Sequence, residues 1–308
     1  MRYLLMTVLS LLLCAARANA DDSSLDCGQQ FPKVNIDLAE YDETLLRMRE
    51  RDPLPTNPTD VEWVKKKLKF MEEVDQYMRN FIQNIPIRNG YSDEEKSCFF
   101  TLFSPRWSSL DSGNTDVLKA LLKTYDWIRI STFGEEADAQ AWLIAQHADR
   151  EPEFQKMVLG RLETLYPQKE TNPRNFAYLF DRVAASWNDE TRRKPQRFGT
   201  QGMCKGLGDW QPIEIEKPEE LDTRRASVGL PPFADYKKQI DTLCHLLSKA
   251  RARHVKLFEM LGINRFNHRS KALRDGLSCL IWHKIDSGCI ILRKCFENLF
   301  SKPCMNSA

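Results

Sequence analysis

Val61, Val64, Leu68, Met71, Met78, Phe81 and Ile85 recur at spacings of three, four or seven residues. On an α-helix that spacing makes one apolar stripe, about 25 residues long, that must pack on a core. Pro53, Pro55 and Pro58 break the chain ahead of it, and Thr59 or Asp60 serves as its N-cap. Similar stripes return downstream. Val117, Leu118, Leu121, Leu122 and Tyr125 follow a start at Asn114 or Thr115, and Phe154, Val158, Leu162 and Leu165 follow Pro152. Phe176, Phe180, Val183 and Trp187 follow the start signal Asn172-Pro173. Glu135 to Ala148 is apolar on almost every side between Ala141 and Ala145, which predicts a central helix. A shorter helical pattern surrounds Tyr41 to Arg49. The fold class is therefore mainly α.

Other stretches depart from this pattern. Gly90 and Asp93-Glu94-Glu95 read as a loop, and Cys98 to Phe103 as a short apolar run, either strand or turn. Arg197 to Gln201 and Trp210 to Ile215 flank Gly206 and Gly208, which predicts a small β-hairpin within residues 195–216. Asp222 to Val228 reads as a short helix stopped by Gly229. Ile240, Leu243, Leu247, Phe258 and Leu261 then predict a helical C-terminal tail.

Charge and cysteine divide the chain near the same point. Residues 237–308 hold 14 Lys plus Arg against 5 Asp plus Glu, a net of +9, whereas residues 21–236 carry a net of −9. Cys27, Cys98 and Cys204 lie in the acidic part, and Cys244, Cys279, Cys289, Cys295 and Cys304 in the basic one. At the N-terminus, Arg2 precedes an apolar run from Tyr3 to Ala16, and small residues occupy Ala18-Asn19-Ala20 ahead of Asp21 and Asp22. That is the plan of a cleaved secretory signal, too short for a comfortable membrane anchor. The expected organisation is a signal over 1–20, a helical domain over 21–236 and a basic, Cys-rich tail over 237–308. The product is expected to be periplasmic or secreted, where disulfides form. The cysteine count leaves their connectivity open. The tail allows weak contact with a membrane surface, and no nucleic-acid partner is expected.

Five strings stand out: Asp138 to Asp149 (DAQAWLIAQHAD), Pro152 to Gln155 (PEFQ), Asn175 to Ala184 (NFAYLFDRVA), Pro195 to Gln201 (PQRFGTQ) and Arg224 to Pro232 (RRASVGLPP). Together with Glu72 to Arg79 upstream, they resemble an uncharacterised bacterial domain family, a domain of unknown function, over roughly residues 41–236. Where that family has Gly-Trp-Pro, this chain has Asp126-Trp127-Ile128. Both conformational specialists of that turn are missing. The resemblance implies no reaction, cofactor or substrate.

His147 is the sole histidine before the tail, and Asp149 lies two residues on. It reads either as a general base oriented by a carboxylate, Asp149 or Asp181, or as a residue bonded to a carbonyl at the end of its helix. Asp181 and Arg182 sit mid-helix beside an apolar stripe, with Tyr178 one turn before Arg182. Gln196, Thr200 and Gln201 form a polar segment around Gly199, and Arg224 suits a carboxylate or phosphate. One histidine with scattered cysteines does not make a zinc set, and no phosphate-binding or dinucleotide glycine loop, G-x-S-x-G or H-E-x-x-H is present. No cofactor or metal is expected. Two functions stay open: a module that binds a protein or small-molecule ligand through Tyr178, Arg182, Gln196, Thr200, Gln201 and Arg224, or a hydrolase or transferase using His147 with Asp149 or Asp181. The expectation is that His147, Asp181, Arg182 and Gln201 form one network.

Overall fold

A computed structural model describes residues 27–54, 56–187, 189–206 and 208–244. The expected signal peptide and most of the expected tail lie outside the described residues. Helices dominate, with one two-stranded antiparallel hairpin. The helices are α1 (Pro32–Arg49), α2 (Val61–Arg88), α3 (Asp93–Tyr125), α4 (Ile130–Phe133), α5 (Glu135–His147), α6 (Pro152–Leu165), α7 (Pro173–Ala185) and α8 (Leu221–Ser227). Strands β1 (Gly202–Gly206) and β2 (Asp209–Pro212) lie between α7 and α8, and residues 233–244 are again helical. Among the described residues, no helix is long and apolar enough to cross a membrane.

The long stripe read from the sequence is α2. Asp60 caps it, its Oδ1 accepting the N–H groups of Glu62 at 2.8 Å and Trp63 at 3.1 Å. Val64, Leu68, Met71, Met78, Phe81 and Ile85 are all buried. The loop expected at 93–95 is instead the first turn of α3. Ser92 Oγ accepts the Glu95 N–H at 3.1 Å while the Glu95 carboxylate accepts the Ser92 N–H at 2.7 Å. This reciprocal cap satisfies two N–H groups at the helix start and turns an apparent acidic loop into a beginning. The Cys98–Phe103 run is therefore helical, and the start expected at Asn114 or Thr115 is mid-helix. Phe99 and Phe103 are apolar because they pack into an aromatic cluster, Phe99 against Phe81 at 6.0 Å and Phe103 against Phe81 at 5.7 Å and edge-on against Tyr41 at 4.8 Å. A disulfide, Cys27–Cys98, ties the chain ahead of α1 to this helix.

Helix α5 packs against α2, α3, α6 and α7, which makes it the central element that its all-round apolar surface predicts. The turn before α4 shows why glycine suits it: Asp126 ends α3 at φ +60°, a region that strains an L-residue. The turn holds because Trp127 and Ile128 are fully buried, and Trp127 Nε1 donates to Asp138 Oδ1 at 2.7 Å.

The hairpin falls within 195–216, but Arg197 to Gln201 precedes its first strand rather than forming it. A Cβ at Gly202 would meet Gln211 O and the Trp210 ring at 2.4 Å, so only glycine lets the strands close over that indole. Trp210 packs edge-on against Tyr236 at 5.8 Å. The packed body also continues past the break expected between 236 and 237. Ile240 is 1 % exposed, Cys244 is fully buried, and a second disulfide joins Cys204 in β1 to Cys244.

Candidate functional site

Four helices bring charged side chains together inside the molecule. Asp75 and Arg79 are one turn apart on α2, so they share a face, and Arg79 Nε lies 3.1 and 3.2 Å from the two Asp75 oxygens. Arg79 Nη2 donates to Asp111 Oδ1 of α3 at 2.8 Å, and Asp111 Oδ2 accepts Trp107 Nε1 at 2.6 Å. His147, at the end of α5, places Nδ1 2.8 Å from Asp75 Oδ1 and 3.0 Å from Arg79 Nε. A guanidinium only donates and an ionised carboxylate only accepts, so Nδ1 donates to Asp75 when it carries the proton and accepts from Arg79 Nε when it does not, one contact at a time. Just past α5, Asp149 accepts Arg182 Nε of α7 at 2.9 Å.

The electrostatics follow from burial and pairing. Burial pushes the Asp75 carboxyl up, but Arg79 and His147 outweigh it and hold it well below the usual carboxylate range. Burial, together with the charges of Arg79 and Arg182, pushes His147 down to about 4 against the pull of Asp75. Asp149 is likewise raised by burial and then lowered further by Arg182. Asp111 is the exception. Burial pushes it up to about 7, with Asp75 and Asp149 adding to the rise and Arg79 opposing it.

Asp181 serves a different part of the fold. Its oxygens accept the N–H groups of Arg197 at 2.8 Å, Phe198 at 3.1 Å and Thr200 at 2.8 Å, and also the Thr200 hydroxyl at 2.8 Å. Burial pushes it up to about 6, with these donors pulling against the rise. The Gln196 amide closes the same loop, donating to Gln201 O at 2.8 Å and Ile213 O at 2.7 Å and accepting the Gln201 N–H at 2.7 Å. Gln201 Oε1 accepts Trp187 Nε1 at 3.0 Å. His147, Asp181, Arg182 and Gln201, expected to form one network, are thus distributed by role among other polar residues. His147, Asp149 and Arg182 lie with the interhelical charges, while Asp181, Gln196, Thr200 and Gln201 shape the approach to the hairpin.

The profile of one protein family, described as a family of unknown function (DUF6624), matches residues 63–249. The chain belongs to DUF6624. No curated protein and no solved structure matches it. The match in this DUF6624 chain begins within α2 and ends beyond Cys244, so it takes in every residue of the charged cluster and the helix after Tyr236.

The remaining residues singled out in the sequence are also placed. Arg224 Nε donates to Arg197 O at 2.8 Å and its Nη2 to Lys217 O at 3.2 Å, so it gathers carbonyls. Its neighbour Arg225 is fully buried, donating to Pro231 O at 2.7 Å with its guanidinium 4.7 Å from the Tyr236 ring. Tyr178 is buried beside Trp142, ring centroids 6.1 Å apart. Sequence reasoning gave no role to Asp75, Arg79 or Asp111. Asp75 and Arg79 carry a usable signal, because a carboxylate and a guanidinium one turn apart interrupt the apolar stripe between Val74 and Phe81. Asp111 carried none.

The cluster sets a pH dependence. Asp111 titrates near 7 when folded and near 4 when unfolded, so between those values the folded state holds the extra proton. Stability is then expected to rise as pH falls from 8 to 6, by up to about 1.4 kcal/mol per pH unit, or roughly 3–5 °C in Tm. His147 acts in the opposite sense below its ordinary 6.5, because only the unfolded state takes up that proton above about 4. Thermal melts at pH 6, 7 and 8 check this. Asp111→Asn is expected to flatten the rise, and an unchanged slope in that variant would assign it elsewhere.

A separate feature is open to solvent. A cleft of about 590 Å³ lies between the chain at 51–60 and the first turns of α2, walled by Arg51, Leu54, Trp63, Lys66, Lys69 and Phe70.

Proposed function

We propose that this DUF6624 chain is an exported module that binds a small ligand, with the charged cluster as its internal frame. The observation that carries this reading is the cleft at Trp63 and Phe70. Its volume is in the range of small-molecule sites, and its wall mixes aromatic surface with a few charged groups. Export is supported by the signal-like N-terminus and by the two disulfides, which form and persist in oxidising compartments. The alternative, a hydrolase or transferase using His147 with Asp149 or Asp181, gains nothing from the geometry. His147 is 6 % exposed and held against Asp75, and Asp181 is fully buried by the loop it organises.

A ligand that binds only the native state raises its melting temperature. A thermal-shift screen of the exported protein is expected to return compounds whose effect disappears in Trp63→Ala. Intact-mass measurement of the same sample is expected to show a chain beginning at Asp21. Retention of Met1 would remove the export reading, and hits indifferent to Trp63 would remove the cleft.

A further inference from the structure

We propose that the cleft takes an amphiphilic anion, a molecule with an apolar body and a single carboxylate head; this rests on the reading of the cleft as the ligand site. The argument begins with which charges around it are already engaged. Arg51 pairs with Glu73 at 3.3 Å, Lys65 with Glu62 at 2.8 Å, and Lys67 with Asp52 at 2.5 Å. The carboxylate of Asp60 is drawn to the α2 N-terminus by the N–H groups of Glu62 and Trp63. Among the described residues that leaves Lys66 and Lys69, both exposed, as the cationic side chains of the wall with no acidic partner.

Their placement follows from helix geometry. Trp63, Lys66 and Phe70 stand at i, i+3 and i+7, and Lys69 precedes Phe70, so two ammonium groups flank the aromatic strip on one face. Trp63 and Phe70 are half-buried. Trp63 is fastened from behind, its Nε1 donating to Pro53 O at 3.2 Å, which leaves its ring face as contact surface. Leu54, also in the wall, is 80 % exposed, a large apolar side chain left in water. An apolar chain lying between Leu54 and the two rings covers all three, and a carboxylate at its end reaches Lys66 or Lys69. A neutral amphiphile gains only the first contact, and a cationic one meets the two ammonium groups, since the wall's acids Asp60, Glu62 and Glu73 are already engaged.

The test is calorimetric titration of the full exported protein with decanoate, decanol and decylamine, each below its aggregation threshold. Decanoate is expected to bind at least tenfold more tightly than the other two. Lys66→Gln/Lys69→Gln is expected to reduce it to the level of decanol, and Trp63→Ala to weaken decanoate and decanol alike. Equal binding of decanoate and decanol, or decanoate binding indifferent to the lysine pair, overturns the proposal. Binding to anionic phosphatidylglycerol vesicles without binding of monomeric decanoate also overturns it, assigning the patch to a membrane surface. A screening hit that depends on Trp63 while decanoate fails preserves the ligand-binding reading and removes only the ligand class.

Discussion

Arg79→Met is expected to destabilise the protein by about 3–5 kcal/mol, with the melting temperature falling by roughly 10 °C or more. Arg79 lies 3.1 Å from Asp75 and 2.8 Å from Asp111, and its side chain is only 10 % exposed. Removing it leaves two carboxylates inside the helix packing with no strong cation between them. The size of the loss comes from that stranded charge more than from the net worth of the pair in the intact protein. A control separates the two contributions. Replacing Asp75, Arg79 and Asp111 together by apolar residues of similar volume is expected to restore part of the loss, because no charge is then left buried. Urea denaturation of the single and triple variants measures both. A single variant that loses under 1 kcal/mol would show the cluster to be solvated and energetically idle.

The second large effect concerns the C-terminal end of the body. Cys204→Ser/Cys244→Ser is expected to cost about 4 kcal/mol, from the entropy of closing a loop with a sequence separation of 40. Ending the chain after Tyr236 is expected to cost more. It removes the disulfide, the buried Ile240, and the bond in which Asp241 Oδ1 accepts the Trp210 N–H at 2.8 Å. Ending the chain after residue 249, where the family match stops, is expected to retain a cooperative melt close to that of the parent. Calorimetry of the three chains with and without reductant checks the order. If the chain ending at Tyr236 melts like the parent, the hairpin needs neither Cys244 nor Ile240.

What the sequence revealed depended on how local the physical cause was. Helix α2 was legible because its stripe, its proline-rich approach and its Asp60 cap all act within a few residues of one another. Helix α3 was misread at its start, since the Ser92–Glu95 exchange is built from the residues that make acidic loops, and only the backbone direction distinguishes the two. The turn at Asp126 was flagged by the missing glycine, and the structure supplies the reason in a positive φ. His147 stands out in the sequence as the sole histidine before the tail, but Asp75, a carboxylate it meets, lies 72 positions away on another helix. No spacing rule reaches that far, whereas Asp149 lies only two positions from His147. The charge break at 237 marks a real change of composition, yet packing ignores it because Ile240 and Cys244 keep to the apolar face.

The two disulfides also decide how this molecule would carry a mechanical load. Cys27 lies just ahead of α1 and Cys244 in the helix that follows Tyr236, and each is bonded to a cysteine far along the chain. Tension applied through the segments beyond them would pass from Cys27 directly into α3 at Cys98, and from Cys244 into β1 at Cys204. Helices α1 and α2 would sit outside the line of force, as would the hairpin turn and α8. While both bonds hold, the extensible part of the body is the stretch between Cys98 and Cys204, which contains α5, His147 and Arg182. The ends would be shielded, and the centre would be what yields.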